Sequence, residues 1–381
     1  MADAATRVSA TPEALTIEWE HGGVSEFASL WLRDNLREDR DPHSGQRLVD
    51  ITDLPAQPRI RSARTENGTV HIEWESERHP ACFELAWLAS RAAGGAERPP
   101  ELRRRLWLEG ARFDARREFA WAQWHALRSD ASVRLGLLSR LVQDGIAFVH
   151  ALPREEAAFL EAMALIGVVA ETNYGRVFQV RSVPQPENLA FSDLGLGLHT
   201  DNPYREPVPG FQALHALATA PEGGESLFAD GFALAGQLRA EAPDDFELLT
   251  TTPVPFHYRS RDAELYAERP LIQLSCQGAI AAVHYNSRSI APLALSAREA
   301  PAFYRAYRRF AALLHEPRFQ LRLRLADGEA VVFDNQRTLH GRTAFTSAKY
   351  LRHLQGCYLT RDSVYSQTAL LRRRLGAGLA P

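Results

Sequence analysis

The chain has 381 residues, of which 45% are hydrophobic and 24% charged, with a net charge of −3; this suits one large or two unequal globular domains. The near-neutral balance and the lack of long basic runs argue against a nucleic-acid partner. No apolar run is long or continuous enough to span a bilayer, and the three scattered cysteines Cys82, Cys276 and Cys357 do not form a disulfide framework.

The first residues, "MADAATRVSATPEA", lack the apolar centre of a signal peptide, so a cytoplasmic protein is expected. Short alternating runs follow over residues 15–89, including "LTIEWE" and "RIRSARTENGTVHIEWE". In the second, "ENGT" between two extended stretches predicts a hairpin. A helix at "FELAWLASRA" closes this small β-rich module. Gly and Pro concentrate in "AGGAERPPE", residues 93–101, which places a linker there and divides the chain into residues 1–94 and 95–381. The two "RRR" runs, 103–105 and 372–374, read as solvated helix faces.

Beyond the linker, "ASVRLGLLSRLVQDG" has helical apolar spacing and stops at Gly145. "IAFVH" reads as a strand and "REEAAFLEAMALIG" as an amphipathic helix. After Tyr174 the pattern becomes short strands and long loops: "GFQALHALA", "ESLFAD", "PLIQLSC", "AIAAVHY", "AVVFD" and "LRHLQGCYLT". One helix, "APAFYRAYRRFAALLHEP", interrupts them, and "LLRRRLGAGLAP" reads as a helix and loose tail. Such a mainly β pattern with flanking helices predicts a double-stranded β-helix, or jelly roll, rather than a doubly wound sheet.

The stretch "LGLHTDNPYREPVPG" places His199 and Asp201 two residues apart. In an extended segment, residues i and i+2 share a face, so both side chains can grip one ion. A second imidazole completes a two-His-one-carboxylate set, which leaves positions open on Fe(II); zinc would close its site or keep one water. Of the thirteen histidines, His340 in "VVFDNQRTLHGRTAF" fits best, following a buried-looking strand and preceding Gly341. Arg352 comes twelve residues later, and a guanidinium there is suited to grip a carboxylate bidentately.

Together, "HTD", "PGFQALH", "GGESLFADGFA", "FDNQRTLHGRTAF" and "RHLQGCY" resemble the Fe(II)/2-oxoglutarate dioxygenases of the γ-butyrobetaine and trimethyllysine dioxygenase group, within the taurine dioxygenase superfamily. The resemblance covers essentially the whole chain, including "SLWLRDN" in the N-terminal module and His79 in a following "HP". It implies iron on His199, Asp201 and His340, with 2-oxoglutarate held by Arg352, helped by Ser226 and lined by Leu214. The implied reaction consumes O2, converts 2-oxoglutarate to succinate and hydroxylates an unactivated C–H bond. A homodimer mediated by the N-terminal module is also implied.

Substrates of the group carry a trimethylammonium held by an aromatic cage. The matching positions are Tyr174, Phe178, Phe191 and Tyr358; the plainer reading of these aromatics is core packing. Asn188 matches a position that contacts the substrate's anionic end. Asn286 and Arg288 lie in the other segment supplying such contacts, or are surface-loop residues. Two departures stand out. Asn202 replaces a cage aromatic of animal γ-butyrobetaine dioxygenases, with Tyr204 as a partial substitute. "WLRDNLREDRDPHSG" also lacks the cysteines of a zinc site, which His79 and Cys82 cannot replace, so no structural zinc is expected and the module's core holds it. Asn202 and Arg288 favour 2-(trimethylammonio)ethylphosphonate, hydroxylated next to phosphorus, because a phosphonate has three oxygens and up to two charges to satisfy. The alternatives are γ-butyrobetaine, a non-catalytic betaine-binding protein and a zinc hydrolase. A binding protein has no need of Arg352, and a hydrolase wants a general base that the sequence does not single out.

Overall fold

In the computed structural model, which describes residues 5–20, 22–76, 81–92, 103–181, 195–345 and 352–376, the chain divides into two units, Met1–Glu101 and Leu102–Pro381. The first unit holds two three-stranded antiparallel sheets. One is β1 (Ala5–Ala10), β2 (Ala14–Trp19) and β3 (Val24–Ala28); the other is β4 (Ile60–Glu66), β5 (Thr69–Trp74) and β6 (Ala81–Glu84). Alternation along β2 buries Leu15, Ile17 and Trp19 against Ile60, Val70, Ile72 and Trp74, and each such side chain contributes roughly 1.5–3 kcal/mol. The anticipated hairpin joins β4 to β5. Asn67 and Gly68 have φ of 49° and 77°, the left-handed pair that matches the twist of the strands. The anticipated helix is Leu85–Ala92. The loop after the helix Ser29–Asp34 is closed by ion pairs of Arg33 with Asp39 and Arg47 with Asp34. His79 and the expected linker (93–101) lie outside the described residues.

Two facing sheets organise the second unit. The larger contains β7 (Ala120–Gln123), β8 (Ile146–His150), β9 (Val169–Ala170), β10 (Phe178–Arg181), β12 (Phe211–Ala218), β19 (Ala330–Asp334) and β21 (His353–Leu359). Its order is β10-β21-β12-β19-β8-β7, with β9 also pairing β21. The smaller has β11 (Leu196–His199), β13 (Ser226–Asp230), β18 (Leu321–Leu323) and β20 (Thr338–Arg342) in the order β11-β20-β13-β18. Between them Phe228 and Leu321 meet Phe148, Phe333 and Leu354. This is the expected jelly roll. Two hairpins, β14 (Val254–Arg259) with β15 (Glu264–Arg269) and β16 (Ile272–Leu274) with β17 (Ile280–Val283), complete the strands.

Helices cover both outer faces. On the large sheet, Ala131–Asp144, Glu156–Ala164 and Arg361–Gly376 bury Leu138, Leu141, Phe159 and Val364 against Phe211, Ala213 and Cys357. Strand β12 thus turns Phe211 and Ala213 outward to the helices, and by alternation Gln212 and Leu214 face the interior. Asp130 caps Ala131–Asp144 by accepting from Ser132 N, and left-handed Gly145 ends it.

The sequence reading differs from the structure in two places. Two helices, Gly231–Glu241 and Pro243–Thr251, follow β13 where strands and loops were expected with only one interrupting helix. Their start signals are local: Asp230 accepts from Phe232 N and Ala233 N, and Pro243 sits in the first turn. They pack with Ala300–His315 against the outer face of the small sheet. The run 103–105 is not helical either. Arg104 donates to Ile280 O at 2.9 Å, and Arg105 pairs with buried Asp144 at 2.6 Å. Among the described residues, no helix is long and apolar enough to cross a membrane.

Candidate metal centre and its cavity

Antiparallel pairing of β11 with β20 puts His199 directly opposite His340, with ring centroids 4.3 Å apart. Asp201 follows β11 and completes the group. His199 Nε2 lies 3.3 Å from Asp201 Oδ1, and His340 Nε2 lies 3.8 Å from Oδ2. One donor atom from each of the three falls within 4.8 Å of the others. His199 Nδ1 is engaged by Gly197 O at 2.9 Å, which leaves Nε2 as the free donor. Asn335, fully buried, fixes the Asp201 backbone: its Oδ1 accepts from Asp201 N at 2.7 Å, and its Nδ2 donates to Asp201 O at 3.0 Å.

Electrostatics suit a metal. Burial and the neighbouring His199 push His340 down to about 3, so it is the neutral imidazole that coordination requires. Burial alone would raise the Asp201 carboxyl, but the adjoining imidazoles and the Tyr358 hydrogen bond outweigh it and hold it below the ordinary carboxylate range. Two imidazole nitrogens and one carboxylate at the wall of a cavity of about 470 Å³ form a set that could bind iron and leave coordination positions open.

Arg352 closes one end of this cavity, with Ser226 and Leu214 also lining it. It is 8% exposed and its Nε donates to Gly224 O at 3.2 Å. Among the described residues no carboxylate pairs with it; burial, then Arg342, lower its pKa to about 9. A buried guanidinium without a counter-ion favours an anionic ligand.

Aromatic side chains line the other end. Tyr174, Phe178, Tyr204 and Tyr358 border the cavity, whereas Asn188 and Phe191 lie outside the described residues. Tyr258 of β14 was not anticipated. Its ring stacks on Tyr204 at 5.0 Å and meets Tyr174 edge-on at 6.2 Å. Asn202 adopts φ 54° and is built into the wall: its Oδ1 accepts from Tyr204 Oη at 2.6 Å and its Nδ2 donates to Tyr358 Oη at 3.0 Å. Tyr358 Oη in turn donates to Asp201 Oδ2 at 2.9 Å. One N–H of the Asn202 amide therefore remains for a ligand.

Asn286 and Arg288 also border the cavity. Asn286 Nδ2 donates to Thr200 O at 3.1 Å, while its buried Oδ1 has no partner. Arg288 is solvent-accessible at the cavity edge, yet desolvation of its guanidinium lowers its pKa against the opposing pull of Asp201. It forms no ion pair or hydrogen bond among the described residues. Gln212 is a second lining residue that sequence reasoning missed. Its signal was available, because it alternates onto the same face of β12 as Leu214. Tyr258 carried none, since an aromatic in a hairpin is ordinary.

A model of the taurine catabolism dioxygenase TauD, TfdA family matches residues 107–358, and one described as gamma-butyrobetaine hydroxylase-like, N-terminal, matches residues 6–89. The chain is 33% identical to the gamma-butyrobetaine dioxygenase of Pseudomonas sp. (strain AK-1), with 94% of each chain covered. It is 29% identical to the mitochondrial trimethyllysine dioxygenase of Gallus gallus, covering 94% of this chain and 89% of that one. A crystal structure of asparagine oxygenase with Fe(II), hydroxyasparagine and succinate is 21% identical, with a TM-score of 0.48 over 62% of this chain and 81% of that one. With a family model spanning most of the jelly-roll unit and the triad in place, the chain belongs to the TauD, TfdA family and is an Fe(II)/2-oxoglutarate-dependent dioxygenase.

Proposed function

We propose that the chain hydroxylates a small trimethylammonium zwitterion, with 2-(trimethylammonio)ethylphosphonate, attacked at the carbon next to phosphorus, as the favoured substrate. The observation that carries this reading is the Arg288 guanidinium, unpaired among the described residues at the edge of the cavity that holds the triad. Iron bound by His199, Asp201 and His340 would supply the O2-dependent oxidation of 2-oxoglutarate to succinate and CO2 and of the substrate C–H to an alcohol. Arg352 takes the distal carboxylate of 2-oxoglutarate in a bidentate pair, beside Ser226 and Leu214. Tyr174, Phe178, Tyr204, Tyr258 and Tyr358 attract the quaternary ammonium and exclude water from it. Arg288, with Asn286 and the remaining Asn202 N–H, meets the anionic end, so the target carbon is fixed from both sides.

The Pseudomonas relative favours a second reading, γ-butyrobetaine, whose carboxylate asks less of Arg288. Aerobic succinate formation with the two compounds side by side separates them. Faster, fully coupled turnover of the phosphonate is expected, and Arg288→Met should raise its KM more than tenfold while leaving the slow uncoupled oxidation of 2-oxoglutarate in place. Preference for γ-butyrobetaine would overturn the phosphonate assignment. His199→Ala or Asp201→Ala should abolish turnover in a folded protein; activity retained in both would remove the triad's role.

A further inference from the structure

Gln212 is 2% exposed, and among the described residues its Oε1 has no hydrogen-bond partner and no hydrogen bond engages its amide nitrogen. A buried amide in this condition costs on the order of a hydrogen bond's desolvation; Oε1 can only accept, so the amide nitrogen, which no hydrogen bond among the described residues engages, is the group that can donate to an anion in the cavity.

Its neighbours locate it. In the large sheet Gln212 pairs across with Phe333 on one side and Tyr358 on the other. Phe333 packs on His340 at 4.8 Å, and Tyr358 donates to Asp201. The side chain between them therefore faces the triad from the opposite sheet. Leu214 lies two residues further along the same face, about 7 Å away by strand rise, and Arg352 lies beyond at the far end of β21's lining residues. A five-carbon dicarboxylate anchored at Arg352 passes Leu214 before it reaches the metal.

The geometry points to Gln212 as a positioning residue that donates its amide N–H to the metal-end carboxylate of 2-oxoglutarate. This rests on iron and 2-oxoglutarate binding at the triad and not on which prime substrate is oxidised. Two consequences follow from the lone amide. It weakens the ligand-free protein, and it stabilises the loaded one.

The test uses the full chain under anaerobic conditions with Fe(II), titrating 2-oxoglutarate by its charge-transfer absorption and recording melting temperature with and without the ligand. Titration of the wild-type protein tests the site; the difference between variants tests Gln212. Gln212→Met, close in shape but without hydrogen-bonding groups, should weaken 2-oxoglutarate binding about tenfold or more, shift the absorption band, and raise the melting temperature of the ligand-free protein by a few degrees. Gln212→Glu should weaken binding further, because two carboxylates would then face each other. Wild-type affinity and an unmoved band in Gln212→Met would overturn the proposal. So would loss of Fe(II) affinity alone in that variant, which would assign the amide to a metal-bound water.

Discussion

Tyr358 Oη donates to Oδ2 of Asp201 at 2.9 Å while its ring packs on Phe178 at 5.1 Å, so one side chain both walls the aromatic end of the cavity and orients the carboxylate of the triad. Partners of this kind are worth 10–100-fold in metal affinity. Tyr358→Phe keeps the ring and removes the donor. Fe(II) or Mn(II) binding, measured by anaerobic calorimetry, should weaken about tenfold, with a smaller change in KM for the trimethylammonium substrate. Unchanged metal affinity would make the hydrogen bond incidental.

Tyr258 stacks on Tyr204 within the aromatic end of the cavity. A cation–π contribution of about 0.5–2 kcal/mol predicts that Tyr258→Leu raises KM several-fold for a quaternary ammonium. The carbon isostere, with a tert-butyl group in place of trimethylammonium, should be affected much less. Equal losses for both compounds would reduce Tyr258 to packing.

Gly224 sits at φ +63°, and a Cβ there would lie 2.9 Å from Arg352 Cδ and 3.0 Å from its Nε. Gly224→Ala is thus strained in its own backbone and displaces the guanidinium. A tenfold or greater rise in the 2-oxoglutarate requirement is expected, with metal affinity unaltered because the triad lies on other elements. Calorimetric titration of each ligand in turn checks both halves of that statement.

His215 is fully buried and Gln355 Nε2 lies 3.0 Å from its Nδ1. Burial lowers its pKa from 6.5 to about 4, and burial lowers that of His284 to about 3. As pH falls through 6.5 the unfolded chain takes up protons that the folded chain refuses. Stability is therefore complete above pH 6.5 and is lost as pH falls towards 4, with a slope of up to about 1.4 kcal/mol per pH unit for each group. His215→Gln keeps an acceptor for Gln355 and cannot titrate. Its melting temperature should decline less between pH 6.5 and 4.5 than that of the wild type; parallel profiles would count against the buried neutral form.

The metal set was legible because its spacing is fixed by backbone geometry: His199 and Asp201 share a face by strand period, and His340 follows a buried-looking strand, Ala330–Asp334. Strand pairing across the sheets was not, since it depends on side chains more than a hundred residues apart in sequence, as with His199 and His340. The helices Gly231–Glu241 and Pro243–Thr251 were overlooked although Asp230 and Pro243 announce them. Asn202 stands out in the sequence only as a departure from an aromatic, whereas its left-handed backbone turns the amide into the wall between Tyr204 and Tyr358 and leaves one N–H over. No pattern in the chain encodes that turn, because the phenols that reward it come from distant elements.

The loop beyond Ser29–Asp34 has no thiolate to offer, and is latched by Arg33 to Asp39 and Arg47 to Asp34. Charge latches respond to different reagents than metal knots do. At about 1 M salt the screening length falls to about 3 Å and partly exposed pairs slacken. Strong brine is then the treatment expected to unsettle the N-terminal unit.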